Sequence, residues 1–522
     1  MKLLTTRYLL VYGLLCFQIL SYSQQIEVTA SKPDLLSNTL KLQRIFGHDD
    51  NYFYVIRFSG TQYFIEKLDR NLNHIAEEPI KSFKGLKTFD FEAIFHFHNE
   101  IYVFFSRPTI DHTTLYYQRI DKNTLLPPDD EMFALTTIKN IKGSWADFHF
   151  ALSRHETRLL VASRIKLPWS GAQFNEIYVF GSNLELEWKR KDSFEFKGQG
   201  PRDNRYVVDE VGNVSILSLI RRESLLSLRR DERNLYHIYR YTNNGTDYNE
   251  YPVTLNELYI RGIKIIAGTD GELICAGLFS TVLKAGVRGT FYFKIDAVTG
   301  KIFDRHLNEF DESVMAELAS IDEPLIREEE LMSYVVSDIV LREEGNMVLI
   351  AEQVFRQNYN TYNNLLITLF DRYGSVKWTR IIQKNQNFNN TNLNLKEIEL
   401  ADFRENIRQT GQWDMESDNY CSYALMAPLN KSGIILFMND NIRNLNQNEK
   451  PKPLSTLKKS YVLAISIDEF GNLNRTPLIP WKRKMFFPQP IRYYDTLGDI
   501  IVIPTNKYRR MNYYKFTADA IP

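Results

Sequence analysis

Residues 269–300 read TDGELICAGLFSTVLKAGVRGTFYFKIDAVTG, and this stretch decides the fold. A turn at 269–272 carries Asp and Gly, an apolar strand follows at 273–279, and an aromatic strand at 290–295 leads into a second turn with Asp and Gly. Gly tolerates the positive φ that tight hairpins need, and Asp bonds its own turn backbone. The stretch therefore predicts the middle of a four-stranded antiparallel unit.

The same order of elements returns along the chain. Apolar second strands are predicted at 52–58, 101–105, 159–163, 214–220, 273–279, 347–351, 434–438 and 500–504. Aromatic-rich third strands follow at 62–68, 114–120, 176–180, 235–241, 290–295, 365–370 and 461–467. Repeats of about 40–50 residues with four short strands each are typical of propeller blades. We therefore predict an all-β fold, a single β-propeller of about eight four-stranded blades, with seven as the alternative count.

The two ends of the chain complement each other. The last repeat, from residue 491 onward, offers three strands and no convincing fourth, while residues 26–30 (IEVTA) form a spare strand. A propeller ring closes when one terminus completes the blade that the other terminus forms, which leaves no open edge in the ring. We therefore predict that residues 26–30 complete the last blade.

The turns between third and fourth strands share a signature. It is clearest in IDAVTG at 295–300, in FDRYGSVKW at 370–378 and in IDEFG at 467–471. These turns resemble the Asp-x-x-Thr-Gly-x-x-x-Trp docking repeat of quinoprotein-type propellers and of the propeller lipoprotein of outer-membrane protein assembly. The resemblance implies a propeller and singles out no specific family or activity. The sequence has no adjacent cysteine pair like that of some quinoproteins, and we predict no cofactor.

Two insertions interrupt the repeat between blades. Residues 308–332 are acidic and typical of a helix, and residues 385–416 begin with an Asn-rich loop and continue into a predicted helix near 395–408. Cys275 and Cys421 are predicted to lie in different blades, with a whole blade between them. Because a disulfide needs Cα atoms within about 7 Å, we expect both thiols to be reduced.

The first 23 residues have the pattern of a secretory signal. Lys2 and Arg7 precede an apolar run at 8–20, and Ser21 and Ser23 are small residues at −3 and −1 of a cut before Gln24. The alternative, a membrane anchor, requires roughly 20 apolar residues, and the run is shorter. No later segment is long and apolar enough to span a membrane. We therefore predict a signal peptide at 1–23, a β-propeller at 24–522 and an exported protein, periplasmic, cell-surface or secreted.

A net charge of +0 conceals an uneven distribution of charge. In a propeller, the loops between second and third strands open on one face together with the loops between blades, and the tight turns open on the other. The first set is rich in Lys and Arg, whereas the tight turns are rich in Asp and Glu. Asp is favoured in turns for local reasons, and basic loops also serve solubility, so a solvated face is the alternative to a binding face.

Seven residues are the predicted ligand-binding set on the basic face. Guanidinium groups pair bidentately with carboxylate or sulfate, and an exposed Trp stacks on a sugar ring or anchors a protein. Each Trp has an alternative role as a cap on the core of its own blade. The set is Arg221, Arg222, Arg229 and Arg230 in one hairpin and Trp145, Trp169 and Trp413 in loops.

Signals of catalysis are weak. The sequence has no Gly-rich phosphate loop after a strand, no Gly-x-Ser-x-Gly elbow and no His-Glu-x-x-His. His96 and His98 are predicted on one face of a first strand and His149 on the neighbouring first strand, but without carboxylate or cysteine partners they predict no metal site. We therefore expect a non-catalytic binding or scaffold propeller of the bacterial cell envelope, whose partner is a protein or an anionic glycan. The alternative is a carbohydrate-active propeller, a glycoside hydrolase or polysaccharide lyase. Nucleic acid is not an expected partner, and the sequence gives no oligomeric state.

Overall fold

The structure is a computed structural model of the 522-residue chain. It describes residues 26–32, 34–35, 40–59, 62–80, 89–128, 132–141, 143–166, 172–195, 204–221, 234–282, 286–322, 326–327, 330–331, 333–356, 360–387, 420–428, 431, 433–445, 451–480, 488–507 and 510–518.

The first half of the chain forms four antiparallel sheets, each with its strands in sequential order. Two strands precede them, β1 (Ile26–Ala30) and β2 (Asp34–Leu35). Blade 1 consists of β3 (Leu40–His48), β4 (Tyr52–Ser59), β5 (Gln62–Asp69) and β6 (His74–Pro79), and blade 2 of β7 (Asp90–Phe97), β8 (Glu100–Pro108), β9 (His112–Ile120) and β10 (Phe133–Lys139). Blade 3 consists of β11 (Asp147–Leu152), β12 (Leu159–Lys166), β13 (Ala172–Phe180) and β14 (Leu186–Glu195), and blade 4 of β15 (Asn204–Val208), β16 (Val214–Arg221), β17 (Asn234–Thr242) and β18 (Asp247–Val253).

The second half of the chain repeats this arrangement with insertions. Blade 5 consists of β19 (Tyr259–Ala267), β20 (Leu273–Ser280), β21 (Gly289–Ile295) and β22 (Ile302–Glu309). Helix α1 (Glu312–Asp322) and a hairpin of β23 (Ile326–Arg327) and β24 (Glu330–Leu331) follow. Blade 6 consists of β25 (Tyr334–Leu341), β26 (Met347–Arg356), β27 (Asn360–Phe370) and β28 (Val376–Ile382), with β29 (Gln386–Asn387) paired to β27. Blade 7 consists of β30 (Ala424–Met426), β31 (Ile434–Asn441), β32 (Ser460–Ile467) and β33 (Leu473–Pro480), and blade 8 of β34 (Tyr494–Asp495), β35 (Ile500–Lys507) and β36 (Arg510–Ala518).

The N-terminal strand completes blade 8, as predicted. Strand β1 pairs antiparallel with β36, with Ile26 opposite Ala518 and Ala30 opposite Tyr514. Ser31 extends the joint, because its backbone N–H donates to the Tyr513 carbonyl and its hydroxyl accepts from the Tyr513 N–H, both at 2.9 Å. The fold is therefore an all-β propeller of eight four-stranded blades, which confirms the predicted fold class and the larger of the two counts.

The first strands of the blades and the residues flanking them contact one another at every junction of the ring. The contacts are hydrogen bonds, one cation–π contact and contacts between rings. In ring order from blade 8 they are Tyr494–His48 (2.9 Å), Arg44 over Phe95 (5.5 Å), Phe95–Phe150 (5.7 Å), His149–Tyr206 (5.1 Å), Arg205 to the Ile263 carbonyl (3.0 Å), Lys264 to the Ser337 carbonyl (2.7 Å), Tyr423 to Asp338 (2.5 Å) and the Ala427 N–H to Asp495 (3.2 Å).

The hydrophobic core lies between adjacent blades, and the apolar second strands form its centre. Every residue of β20 and β31 is buried, and so is every residue of the third strand β32. Outer strands show the opposite pattern, since β22 exposes alternate residues. This gradient from buried inner strands to an exposed outer strand is the one that an alternating blade sequence predicts.

Tight turns are held by their own aspartates. Asp209, Asp371 and Asp468 each accept hydrogen bonds at 2.8–3.0 Å from the backbone N–H groups two and four residues later. A glycine with positive φ follows in each turn, for example Gly471 at φ +80°. The acidity of these turns therefore has a local structural cause, as considered from the sequence.

Two outer strands dock onto the turns of the next blade. Trp188 in β14 donates its indole N–H to the Gly212 carbonyl of blade 4 at 3.0 Å, and Trp378 in β28 donates to the Glu469 carbonyl of blade 7 at 2.9 Å. An arginine two residues after each Trp binds a further turn carbonyl, as Arg380 does with Gly471 at 2.8 Å. The Trp-x-Arg pairs thus fasten blade 3 to blade 4 and blade 6 to blade 7.

The structure describes the two insertions in part. Helix α1 lies within the acidic insertion at 308–332, and the hairpin after it is tied to blade 5 by buried Glu330, which accepts from the Ser280 hydroxyl at 2.6 Å. The insertion at 385–416 is described only at its start, where β29 pairs with β27, and the predicted helix near 395–408 lies outside the described residues.

Cys275 and Cys421 are buried in blades 5 and 7 and form no disulfide, as predicted.

Candidate functional site

The two ends of the propeller differ in construction. We call the end with the tight turns the turn face, and the end with the loops between second and third strands and between blades the loop face. Of the predicted ligand-binding residues, Trp145 is fully described: it follows a short bridge between Ile141 and Ser144 on the loop face and is 62% exposed. Arg221 is the last residue of β16, and its side chain lies outside the described residues. Outside them also lie Arg222, Arg229, Arg230, Trp169 and Trp413.

One basic loop of the loop face, the connection from β31 to β32 in blade 7, is described except for residues 446–450. It exposes four cations with no carboxylate among its exposed described residues: Arg443, Lys452, Lys458 and Lys459. Two short 3₁₀ helices, Ile442–Asn444 and Leu457–Lys459, shape it. The arrangement presents a compact positive surface beside the half-exposed side chains of Ile442 and Leu445.

Buried amides hold this basic loop in place. The Asn441 side chain accepts from the Arg443 N–H and donates to the Pro453 carbonyl at 2.9 Å. Asn444 donates to the buried Asp440 carboxylate at 2.8 Å and accepts from the Lys452 N–H at 2.8 Å. Because the loop backbone is fixed by these bonds, its cations are presented without a large ordering cost.

Half-buried aromatic rings line the loop-face ends of blades 1 and 2, and we call this cluster the aromatic rim. Tyr63 stacks on Phe91 with ring centroids 4.1 Å apart, and Phe58 lies 4.7 Å from Tyr63. Phe89 meets Tyr116 edge to face at 5.4 Å, and the Arg107 guanidinium lies over Phe89 at 5.7 Å. The rim is Phe58, Tyr63, Phe89, Phe91 and Tyr116 with Arg107.

Two exposed apolar side chains, Ile110 and Trp145, extend the aromatic rim toward blade 3. Ile110, at the tip of the β8–β9 loop, is 91% exposed. Asn140 ties this loop to the segment that leads to Trp145, because its amide donates to the Thr109 carbonyl at 2.8 Å and its N–H donates to the Asp111 carbonyl. The loop face of blades 1 to 3 therefore combines an arginine, stacked rings and exposed apolar side chains on loops held by hydrogen bonds.

A half-buried carboxyl lies beside the rim. Glu92 is the bulged residue of β7, at the irregularity between Phe91 and Ala93. Burial raises the pKa of the Glu92 carboxyl to about 7; a hydrogen bond from Ser106 opposes the rise, and Asp90 and Asp147 add to it. A β-bulge redirects a side chain, and a carboxyl with a raised pKa is able to act as a general acid.

The turn-face mouth of the channel is crossed by one hairpin. Arg154, in the turn between β11 and β12 of blade 3, donates to the Leu341 carbonyl of blade 6 at 3.1 Å, and blades 3 and 6 are not neighbours. Burial lowers the pKa of Arg154 and raises the pKa of Glu156 in the same turn. The hairpin of blade 3 therefore reaches across to blade 6 at the turn-face end of the ring.

The channel histidines are packed as aromatic residues. His96 stacks on Tyr54 with centroids 5.6 Å apart, and burial lowers its pKa to about 4. His98 is not on a strand face with His96, since it lies in the β7–β8 turn with φ +48°. His149 stacks on Tyr206. Within the described ranges, no group of three or more His, Cys, Asp or Glu is arranged to hold a metal ion.

Comparison with known proteins gives no family. No protein-family model matches the chain, and no curated protein matches it. Among solved structures, apo prolyl oligopeptidase B from Galerina marginata shares 9% identity at a TM-score of 0.40, over 90% of this chain and 56% of that chain. A Synechocystis apocarotenoid oxygenase mutant shares 8% identity at a TM-score of 0.32, over 93% of this chain and 90% of that chain.

A PL25 ulvan lyase shares 8% identity at a TM-score of 0.35, over 92% of this chain and 95% of that chain. The chain thus spans a little over half the length of the peptidase. At these scores the three structures lend no activity, ligand or partner to this chain. In the described parts of the chain, no helix has the length and apolar character needed to cross a membrane.

Proposed function

We propose that this chain is an exported, non-catalytic binding or scaffold propeller of the bacterial cell envelope, and that its loop face binds an anionic glycan. The observation that carries the proposal is the pairing, on one face, of a rigid cationic loop in blade 7 with the aromatic rim of blades 1 and 2. Cations neutralise sulfate or carboxylate groups, and aromatic faces stack on sugar rings.

The predicted arginine hairpin belongs to the same proposal. Arg221 is the last residue of β16, and Arg222, Arg229 and Arg230 follow it in the sequence before β17. A connection from a second strand to a third is expected on the loop face of a propeller. An acidic protein is the other partner that the charge of this face suits. The rim favours a glycan over it, because aromatic rings of blades 1 and 2 lie half-buried on this face beside Arg107, and aromatic rings are the side chains that stack on sugars.

Affinity electrophoresis of the mature chain tests this proposal. We expect retardation by a sulfated polysaccharide (heparin) and by polygalacturonate but not by neutral dextran, and weaker retardation as salt rises, because the Debye length falls from about 10 Å at 0.1 M to about 3 Å at 1 M. The variants R443E/K458E/K459E and R221E/R222E/R229E/R230E should each lose retardation at least fivefold. Equal retardation by dextran, or none by either polyanion, would reject the glycan; binding of an acidic protein instead would identify the other partner.

A charge-matched control separates the loop face from net charge. Lys301, Arg372 and Lys377 are exposed cations at the turn-face end of blades 5 and 6. The variant K301E/R372E/K377E changes net charge by the same amount as R443E/K458E/K459E. It should keep wild-type retardation if binding resides on the loop face.

A carbohydrate-active enzyme is the second candidate, and Glu92 is the observation that favours it. Its carboxyl has a pKa of about 7 beside the aromatic rim and close to Asp90 and Asp147. If the loop face cleaves a glycan, wild-type protein should lower the viscosity of polygalacturonate and the variant Glu92→Gln should not. Stable viscosity with the wild-type protein would support the non-catalytic function.

A further inference from the structure

Three turns of the turn face carry exposed large apolar side chains at the same position. In the turns between third and fourth strands of blades 5, 6 and 7, the residue two after the aspartate is Val298, Tyr373 or Phe470, exposed by 92%, 59% and 70%. We call these three residues the apolar tips. Turns are normally polar, so this repeated position requires an explanation.

The aspartates hold the apolar tips rigidly. The backbone N–H of Val298 donates to Asp296 at 3.0 Å, that of Tyr373 to Asp371 at 2.9 Å and that of Phe470 to Asp468 at 2.9 Å. Each tip therefore projects from a backbone that is already ordered. A pre-ordered apolar side chain loses little entropy when a partner covers it.

The same turn position is polar on the other side of the ring. In blades 1, 2 and 3 it is occupied by Asn71, Asn123 and Asn183, all exposed. The turns of blades 1 and 2 have the same bonding, since the Asn71 N–H donates to Asp69 and the Asn123 N–H to Asp121. The fold thus accepts Asn at this position, and the geometry of the turn gives no reason for an apolar residue in blades 5 to 7.

Two turns between first and second strands, which we call inner turns, also carry exposed apolar residues. Together with the apolar tips they form an arc on the turn face. Val211 in blade 4 is 65% exposed and Leu497 in blade 8 is 47% exposed, and each donates its N–H to an aspartate two residues earlier at 3.0 Å. The arc is continuous between blades 4 and 5, because a Cβ at Gly271 would lie 3.5 Å from Ala297 and 4.0 Å from Val211.

The surroundings of the arc are acidic. The exposed carboxylates of its inner turns and of the Phe470 turn are Asp270, Glu343, Glu344, Glu469 and Asp499, and the exposed cations beside them are Lys301, Arg372 and Lys377. Arg372 lies over the ring of Tyr373 at 5.6 Å. Carboxylates outnumber cations around the tips, so the surface complements a partner of positive charge.

We propose that the arc of blades 4 to 8 on the turn face is a docking surface for a protein partner. The matching surface of that partner is basic and has apolar pockets that receive the tips. Tips spread over several blades exceed the reach of a small ligand and match the anchor residues of a protein interface, with charged residues around them. An anionic membrane is disfavoured by the carboxylates, which its negative surface repels. Together with the loop face this would make the propeller a bridge between two partners, although the turn-face proposal stands independently of glycan binding.

The test uses variants that the fold itself supplies. V298N/Y373N/F470N gives blades 5 to 7 the residue that blades 1 to 3 carry, and I75N/F133N/L186N removes three exposed apolar residues elsewhere, of which Ile75 is 50%, Phe133 43% and Leu186 47% exposed. Equal melting temperatures establish that the variants are folded. Each immobilised protein is incubated with an envelope extract of the source cells, and retained proteins are quantified by mass spectrometry, purified and titrated against all variants by calorimetry.

We expect one basic protein that binds the wild type and I75N/F133N/L186N equally, with affinity at least tenfold lower for V298N/Y373N/F470N and for E343K/E344K/E469K. Retention that the tip variant does not lower, or retention of no protein, would overturn the proposal. So would tip-dependent self-association in sedimentation equilibrium, which would make a second copy the occupant, or tip-dependent binding to phosphatidylglycerol vesicles, which would make it a membrane.

Discussion

Individual ionisable residues in this propeller take their properties from the blade positions that bury them. Burial at the loop-face end of blade 2 raises the pKa of Glu92 to about 7, and burial against Tyr54 of blade 1 lowers the pKa of His96 to about 4. Neither environment is visible in the sequence, where Glu92 is one of many acidic residues. The positions become special only when neighbouring blades are packed together.

The raised pKa of Glu92 predicts a pH dependence of stability. Between its ordinary value of 4.5 and about 7 the folded chain holds the proton that the unfolded chain has lost, so the free energy of unfolding falls as pH rises through this range. The variant Glu92→Gln should therefore melt about 2 °C higher than the wild type at pH 8 and at the same temperature at pH 4. Differential scanning calorimetry at the two pH values checks this, and an equal shift at both would contradict the assignment.

At the scale of elements, the strand repeat could be predicted and the surface that it builds could not. All eight predicted second strands are second strands of blades, because their apolar runs are buried from both sides. The aromatic rim was missed because Tyr63 and Phe91 belong to different blades and meet only through blade packing. His98 was misplaced because the β7–β8 hairpin turns one residue earlier than an extended strand would.

Two glycine-to-alanine variants measure how much the packing of an outer strand against the next blade contributes to the free energy of unfolding. Gly471 and Gly143 have similar backbone angles, φ +80° and +78°, but a Cβ at Gly471 would lie 2.9 Å from the Trp378 ring, and one at Gly143 would meet nothing within 4 Å. Gly143→Ala should cost about 1 kcal/mol from backbone strain alone. Gly471→Ala should cost about 1–2 kcal/mol more, because the indole must move. Guanidinium denaturation followed by tryptophan fluorescence compares them, and equal costs would rule out a packing role for Trp378.

At the scale of the whole molecule, stability depends on joining the two ends of the chain. Strand β1 is the only strand that pairs with β36 along the outer edge of blade 8 over residues 514–518, within the described ranges. Its removal leaves β36 with an unpaired edge and opens the ring between blades 8 and 1.

Deletion of residues 24–30 should therefore lower the melting temperature by at least about 5 °C and promote aggregation. The conservative variant Val28→Thr, at a position 36% exposed in the same strand, should leave the melting temperature unchanged. Thermal unfolding with light scattering measures both properties. A deletion variant as stable as the chain of residues 24–522 would show that the ring is closed in another way.

Closure of the eight-bladed ring also gives the molecule two separate faces, one at each end of the ring. We propose anion binding for the loop face, which carries the basic loop of blade 7 and the aromatic rim, and none for the turn face. Charge alone does not distinguish the faces, because acidic residues in the turns have local structural roles. Only a comparison of matched variants on the two faces can do so.

The most direct test is isothermal titration of heparin into the chain of residues 24–522 and three variants at 0.1 M salt. We expect R443E/K458E/K459E to raise the dissociation constant at least tenfold. We expect the charge-matched K301E/R372E/K377E and the turn variant Asp296→Asn to stay within twofold of the wild type. If the loop-face and turn-face variants lose affinity equally, binding follows net charge alone, and the assignment of the loop face as the binding site is wrong.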